Sequence, residues 1–235
     1  MKRYKLLMLL VLGSIVFSCT PKKNNLIAID ILLTPSEVVG QQALHLNALI
    51  KGNNPSSMQL DKNHIPHITL LQGYVKEDDL PEIKKSLKGL FEIVDNENLY
   101  ARSMVYNKET EDSFAMIQIE NTEALSKIHI EAIARMKPFV VQNGSESAFV
   151  PNPDGSPIGT FTIEYVSNFI EKYSYDNFDP HISLGVAKKV FLDSLNENVF
   201  QPVRFMAPSL DLYQLGDSGT AQKQLWSSNP ETADQ

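Results

Sequence analysis

The sequence predicts an α+β fold with antiparallel strands, and three observations carry that prediction. Strand-like and helix-like hydrophobic patterns follow one another along the 235 residues. Pairs of strand patterns are joined by short polar turns, a connection open to antiparallel neighbours but not to parallel ones. The two kinds of pattern occur together, which departs from the strict strand–helix alternation of a doubly wound parallel sheet, and no Gly-rich phosphate loop or dinucleotide fingerprint is present.

Residues 1–24 are set aside from the fold. Lys2, Arg3 and Lys5 precede an apolar run of 12 residues, Leu6–Phe17. A membrane-spanning helix needs roughly 20 apolar residues, so this run has the anatomy of a secretory signal instead. Val16-Phe17-Ser18-Cys19 resembles the lipobox of bacterial lipoproteins, in which the cysteine is lipidated and becomes the new N-terminus. The expectation is a signal peptide over 1–18, lipidation at Cys19, and a polar tether over 19–24. The domain would then sit outside the cytoplasm, lipid-anchored to the bacterial cell envelope, each buried acyl methylene adding about 0.8 kcal/mol. Cys19 is the only cysteine, so no intrachain disulfide can form.

The remaining elements follow in order. Leu26–Pro35 is a buried-strand pattern closed by proline. Thr34-Pro35-Ser36-Glu37 is a capping box with proline at the first helical position. The helix it opens carries Val39, Ala43, Leu46 and Ile50 on one face, with Gly52 as its stop. Ile65–Val75 is a strand, and Leu80, Ile83, Leu87 and Leu90 mark a second amphipathic helix. Leu99–Tyr106 and Phe114–Glu120 pair as strands around a polar loop. Asn121 caps a helix bearing Leu125, Ile128, Ala132 and Met136. Asn143–Thr160 is the longest turn-rich segment. A helix over Phe161–Tyr173, a strand in "FDPHISLGVA", and a short helix in "KKVFLDSLNENV" come next. Two strands joined at Gly216-Asp217-Ser218-Gly219 close the domain, which spans 25–228 and leaves a polar tail over 229–235.

The formal charge is −7. Removing Lys2, Arg3 and Lys5 from the 21 basic residues leaves 18 against 28 acidic ones, a net −10. That argues against tight, sequence-independent binding to long nucleic acid, whose affinity rests on many Lys/Arg–phosphate contacts. A small anionic ligand in one local pocket is compatible with it. With 43% hydrophobic residues, the chain suits one globular unit of up to two lobes.

One pentapeptide is written twice. "PHITL" at Pro66–Leu70 returns as "PHISL" at Pro180–Leu184, so His67 and His181 are 114 positions apart. Strand side chains alternate with period two. His67 and Thr69 therefore share one face and Ile68 and Leu70 the other, and the same holds for His181 and Ser183 against Ile182 and Leu184. The prolines place each motif near a strand start or edge. Two imidazoles facing one another form an acid–base pair, because one can be neutral while the other is protonated near pH 6.5. In-line displacement at phosphorus needs that pair, one partner activating the attacking oxygen and the other protonating the leaving oxygen. The hydroxyls could donate to non-bridging phosphate oxygens. No metal or other cofactor is required. Which histidine is acid and which base is left open.

Two H-x-[ST] motifs with hydrophobic flanks at this separation resemble the two-histidine (2H) phosphoesterase superfamily, and in kind its bacterial RNA 2′,5′-ligase/cyclic phosphodiesterase family. The resemblance covers roughly Leu26–Trp226. It implies two similar α+β lobes with antiparallel sheets around a central cleft, helices on the outer faces, and one motif per lobe. It implies His67 and His181 as the catalytic pair, with Thr69 and Ser183 as phosphate-binding hydroxyls. The substrate class would be a 2′,3′-cyclic phosphate or 2′,5′-linked nucleotide or short oligonucleotide, handled by a monomer. The alternative is a non-catalytic surface protein that binds a phosphorylated ligand.

Other candidates read as structural. His64 lies near His67, but zinc needs a fuller ligand set, so it is a loop residue. His45 and His129 are surface or half-buried helix residues. Tyr74, Tyr106, Tyr165, Tyr175, Phe178 and Tyr213 are core or cleft-wall residues that could offer a stacking surface to a nucleobase. Asp154-Gly155 is a turn in a loop long enough to lie over the cleft.

Overall fold

The β-branched and leucine residues of Leu26–Thr34 make a strand buried on both faces, and the fold is laid out around it. A computed structural model describes residues 25–229. The segment expected to be a signal peptide, the expected lipidation site Cys19 and nearly all of the expected polar tail lie outside that range. The described residues form eight strands and five α-helices. In chain order these are β1 (Leu26–Thr34), α1 (Glu37–Asn53), β2 (Ile68–Lys76), α2 (Leu80–Leu87), β3 (Leu99–Val105), β4 (Asp112–Ile119) and α3 (Glu123–Met136). They continue as α4 (Thr160–Lys172), β5 (His181–Lys188), α5 (Lys189–Asn198), β6 (Val203–Phe205), β7 (Ser209–Leu215) and β8 (Ala221–Ser227). The class is α+β, as the sequence predicts.

Two four-stranded antiparallel sheets result, ordered β2-β1-β7-β8 and β5-β4-β3-β6. The first joins the beginning of the chain to its end. The second is built from the middle. Each motif strand, β2 or β5, is the edge of its sheet. The two edges lie against each other without sharing a ladder.

The pentapeptides also produce the same irregularity. In the first sheet Ile31 faces Leu71 while Leu32 faces Thr69, so Leu70 is an extra, bulged residue. In the second, Ala115 faces Gly185 while Met116 faces Ser183, so Leu184 is the extra one. A bulge leaves its residue without a ladder partner and turns the strand. Leu70 and Leu184 are both fully buried. Truncating either to alanine is expected to cost about 2–5 kcal/mol.

The halves do not have separate cores. One apolar cluster runs from Ile29, Ile31, Ile68 and Leu70 to Ile117, Ile182 and Leu184. Helices cross between them: α1, which follows β1, packs on β5, while α3, which follows β4, packs on β2.

Several local expectations shift. Helix α1 runs through Gly52 to Asn53 and stops where Asn54 turns extended, its side chain captured by the Val186 carbonyl at 3.1 Å. Ser36 is the N-cap but makes no side-chain capping bond, and Thr34 sends its hydroxyl to Asp211 at 2.6 Å instead. Thr122, not Asn121, caps α3 by accepting the Leu125 N–H at 3.2 Å. Leu90 falls beyond the end of α2, and the three-residue β6 has no forerunner in the hydrophobic pattern.

Candidate active site

His67 immediately precedes β2, and His181 opens β5. Each imidazole is held in the same local way. The Nδ1–H of His67 donates to the Ile65 carbonyl at 2.8 Å, and that of His181 donates to the Asp179 carbonyl at 2.7 Å. A carbonyl can only accept, so Nδ1 carries the proton in both rings and Nε2 is the nitrogen left for chemistry. Ile68, Leu70, Ile182 and Leu184 are buried on the opposite faces, as the period-two reading expects.

The surroundings then diverge. Asp30, fully buried on β1, brings Oδ2 to 3.5 Å from the Nε2 of His67. The same oxygen accepts the Thr69 hydroxyl and the Gln72 amide, each at 2.8 Å. Among the described residues, the other Asp30 oxygen and the Gln72 carbonyl oxygen have no partner. Burial disfavours a charged His67 ring, but hydrogen bonding and charge from Asp30, with the Ile65 carbonyl, outweigh it and raise its pKa above 6.5. For His181, burial prevails over the Asp179 carbonyl and carboxylate, and the nearby His67 ring adds to it, so the pKa is lowered. One sequence motif therefore supplies two histidines of opposite inclination.

The hydroxyls diverge too. Thr69 donates to Asp30, whereas the Ser183 hydroxyl has no hydrogen-bond partner among the described residues. On the second sheet Gln118 stands opposite His181 and donates to the Asp179 carboxylate. Beside them a cavity of about 430 Å³ opens along β4, with Val105, Phe114, Met116, Gln118 and Asp179 in its wall. Tyr165 on α4 completes the surroundings. Its phenol pKa is raised by burial, then by Tyr173 and the carboxylates of Asp30 and Asp179, so it feels both motifs.

The other candidates scatter. Tyr74 is fully buried and donates its hydroxyl to the Ile163 carbonyl at 3.1 Å. Tyr106 donates to Asp193 at 2.6 Å, and Tyr213 is pushed up to about 12 by burial and Asp211. Phe178 is buried while Tyr175 is exposed. Tyr165 stacks on Tyr173 at 4.3 Å. His64 is a turn residue between Asp61, at 2.9 Å, and Gln222, at 2.7 Å. His45 is exposed. His129 is neither surface nor half-buried but 1% exposed, because both ring nitrogens find backbone partners in the interior. Among the described residues no cluster of three or more His, Cys, Asp or Glu side chains is arranged to hold a metal ion.

Asp30 and Gln72 escaped the sequence reading. A lone carboxylate inside the apolar run "LIAIDILLTP" was the signal for Asp30. Gln72 had none, because period-two counting from His67 places Leu71 on the site face. The bulge at Leu70 reverses the count and brings Gln72 opposite Asp30 instead.

No family model and no curated protein matches the chain. Among the solved structures similar to it are the following two. TT0787 of Thermus thermophilus shows 14% identity over 86% of this chain and 96% of its own, with a TM-score of 0.45. Usb1 of Kluyveromyces marxianus shows 14% identity over 86% of this chain and 99% of its own, with a TM-score of 0.36.

Proposed function

We propose that this chain is a phosphodiesterase of the two-histidine kind, acting without a metal on 2′,3′-cyclic phosphates or 2′,5′-linked nucleotides and short oligonucleotides. The observation that carries the reading is the matched pair of imidazoles. Both are locked through Nδ1 to the carbonyl two residues upstream, yet their pKa values are pushed in opposite directions. Paired groups whose surroundings separate their pKa values are suited to acid and base roles.

We assign those roles from the asymmetry. His181 is the base: its neutral Nε2 takes a proton from water as the water oxygen forms a bond to phosphorus. His67 is the acid: its Nε2–H passes to the leaving ribose oxygen as the P–O bond breaks. One water is consumed, and the proton gained at His181 and lost at His67 is exchanged with solvent. Ser183 donates to a non-bridging oxygen, while Thr69 holds Asp30 beside the acid. The cavity along β4 has the volume of a small-ligand site and offers apolar wall to a nucleoside next to the phosphate. Through the leader and Cys19 we place this chemistry outside the cytoplasm, on a lipid anchor.

The test is turnover of a panel of cyclic and 2′,5′-linked nucleotides by the purified protein in EDTA, followed by product chromatography. His67→Ala and His181→Ala are each expected to lose about 10²–10⁴-fold. Inhibition by the chelator would refute the metal-free mechanism. Calorimetric binding of a phosphorylated ligand with no turnover of any diester would establish the binding-protein alternative.

A further inference from the structure

The two bulges pose the same problem in both motifs. A buried carbonyl with no partner costs about 1–3 kcal/mol. Leu70 and Leu184 are fully buried. Each carbonyl is satisfied by a side chain from a helix that has crossed from the other half. On α3, His129 donates its Nδ1–H to Leu70 at 2.7 Å. On α1, Asn47 donates its amide to Leu184 at 2.8 Å.

Each of these side chains also holds the segment that enters the opposite motif. Nε2 of His129 accepts the Tyr175 N–H at 2.9 Å, and the ring stacks on Phe178 at 3.9 Å with 4° between planes. Phe178 is three residues ahead of His181. Asn47 accepts the Leu60 N–H at 2.8 Å and donates to the Met58 carbonyl at 3.1 Å, on the approach to His67. Because β2 and β5 belong to different sheets, no backbone ladder sets the distance between the two motifs. That distance is left to side chains.

We propose that Asn47 and His129 are positioning residues, a reciprocal pair of braces that sets the spacing between the His67 and His181 imidazoles. The proposal rests on the two-histidine reading for its catalytic consequence, but not for its geometry. A displacement of about 1 Å at a reacting centre can cost 10²-fold in rate. The braces act on one spacing, so cutting both is expected to cost less than the product of the two single losses.

The test uses His129→Phe, which keeps the stack on Phe178 but removes both hydrogen bonds, together with Asn47→Ala and the double variant. Each full-length protein is melted, titrated by histidine-ring NMR, and assayed on a 2′,3′-cyclic nucleotide. His67→Ala supplies the scale, because removing the His67 charge raises the midpoint of His181. Cut braces are expected to move that midpoint part of the same way and to lower kcat about 10²-fold with KM little changed. Folded variants that keep both the His181 midpoint and kcat would overturn the proposal, leaving the contacts as packing alone. Where one single variant fails to fold, the other decides; failure of both would show a purely structural role and overturn it as well. If the wild type turns over no diester, the two-histidine reading fails, while the NMR arm still judges the braces.

Discussion

Asp30 places one carboxylate oxygen 3.5 Å from the Nε2 of His67 while that oxygen also accepts Thr69 and Gln72 at 2.8 Å each. Among the described residues His181 has no such neighbour. The carboxylate acting on it is that of Asp179, whose backbone carbonyl already holds the ring at 2.7 Å. This difference turns two copies of one motif into unlike partners.

Replacing Asp30 by asparagine leaves burial to govern His67, and its pKa falls. The acid must be protonated, so the alkaline limb of the kcat profile moves to lower pH. Above that limb, activity drops about tenfold for each unit of displacement. A pH–rate profile of Asp30→Asn that keeps the wild-type alkaline limb would assign that limb to another group.

The wild-type profile itself is expected to be a bell straddling 6.5, the ordinary histidine value. The acid limb belongs to His181 and lies below it; the alkaline limb belongs to His67 and lies above it. Stability follows the same signs. The His67 contribution is fully present below 6.5 and disappears as pH rises through the folded value. The His181 contribution is present above 6.5 and disappears as pH falls through its folded value. Urea melts across this range, compared with those of each histidine-to-alanine variant, measure both.

The hydroxyls should part company under substitution. Ser183→Ala removes a donor to charged phosphate, worth about 1.5–3 kcal/mol, and is expected to lower kcat/KM about 10- to 150-fold. Thr69→Val instead takes a donor from buried Asp30. It is expected to cost about 1–3 kcal/mol of stability and to shift the alkaline limb upward, since the less satisfied carboxylate pulls harder on the His67 proton. A rise in KM as the main effect of Thr69→Val would put that hydroxyl on the phosphate.

Gly185 follows the second bulge with φ +114°, and a Cβ there would stand 2.3 Å from the Ser57 hydroxyl, which accepts the Val186 N–H at 2.8 Å. Gly185→Ala is therefore expected to lower the melting temperature. Adding Ser57→Ala should restore only part of the loss, because it relieves the collision but not the backbone strain. Full recovery in the double variant would show that the φ value carries no cost.

At the other end of the chain, Cys19→Ala is expected to abolish incorporation of labelled fatty acid and to release the protein from membranes. Labelling that persists would remove the anchor from the proposal.

The α+β class, the order of the main elements, the faces of the two pentapeptides and the candidate residues His67, Thr69, His181 and Ser183 could all be read from the sequence. Those features depend on local period and turn chemistry, which neighbouring residues determine. The helix caps differ from the local reading by a residue or two, because Asp211 takes the Thr34 hydroxyl, the Phe178 carbonyl takes the Asn121 amide, and the Val186 carbonyl holds Asn54 at the end of α1 beyond Gly52. Tertiary structure alone decided that Gln72 rather than Leu71 faces Asp30, since a bulge reverses strand parity. It alone showed that Thr69 serves a carboxylate, and that His129 and Asn47 reach the motifs from helices far away in sequence. Pairing between distant segments depends on which strands meet, and on which carbonyl a bulge leaves unpaired, and neither is written in any local pattern.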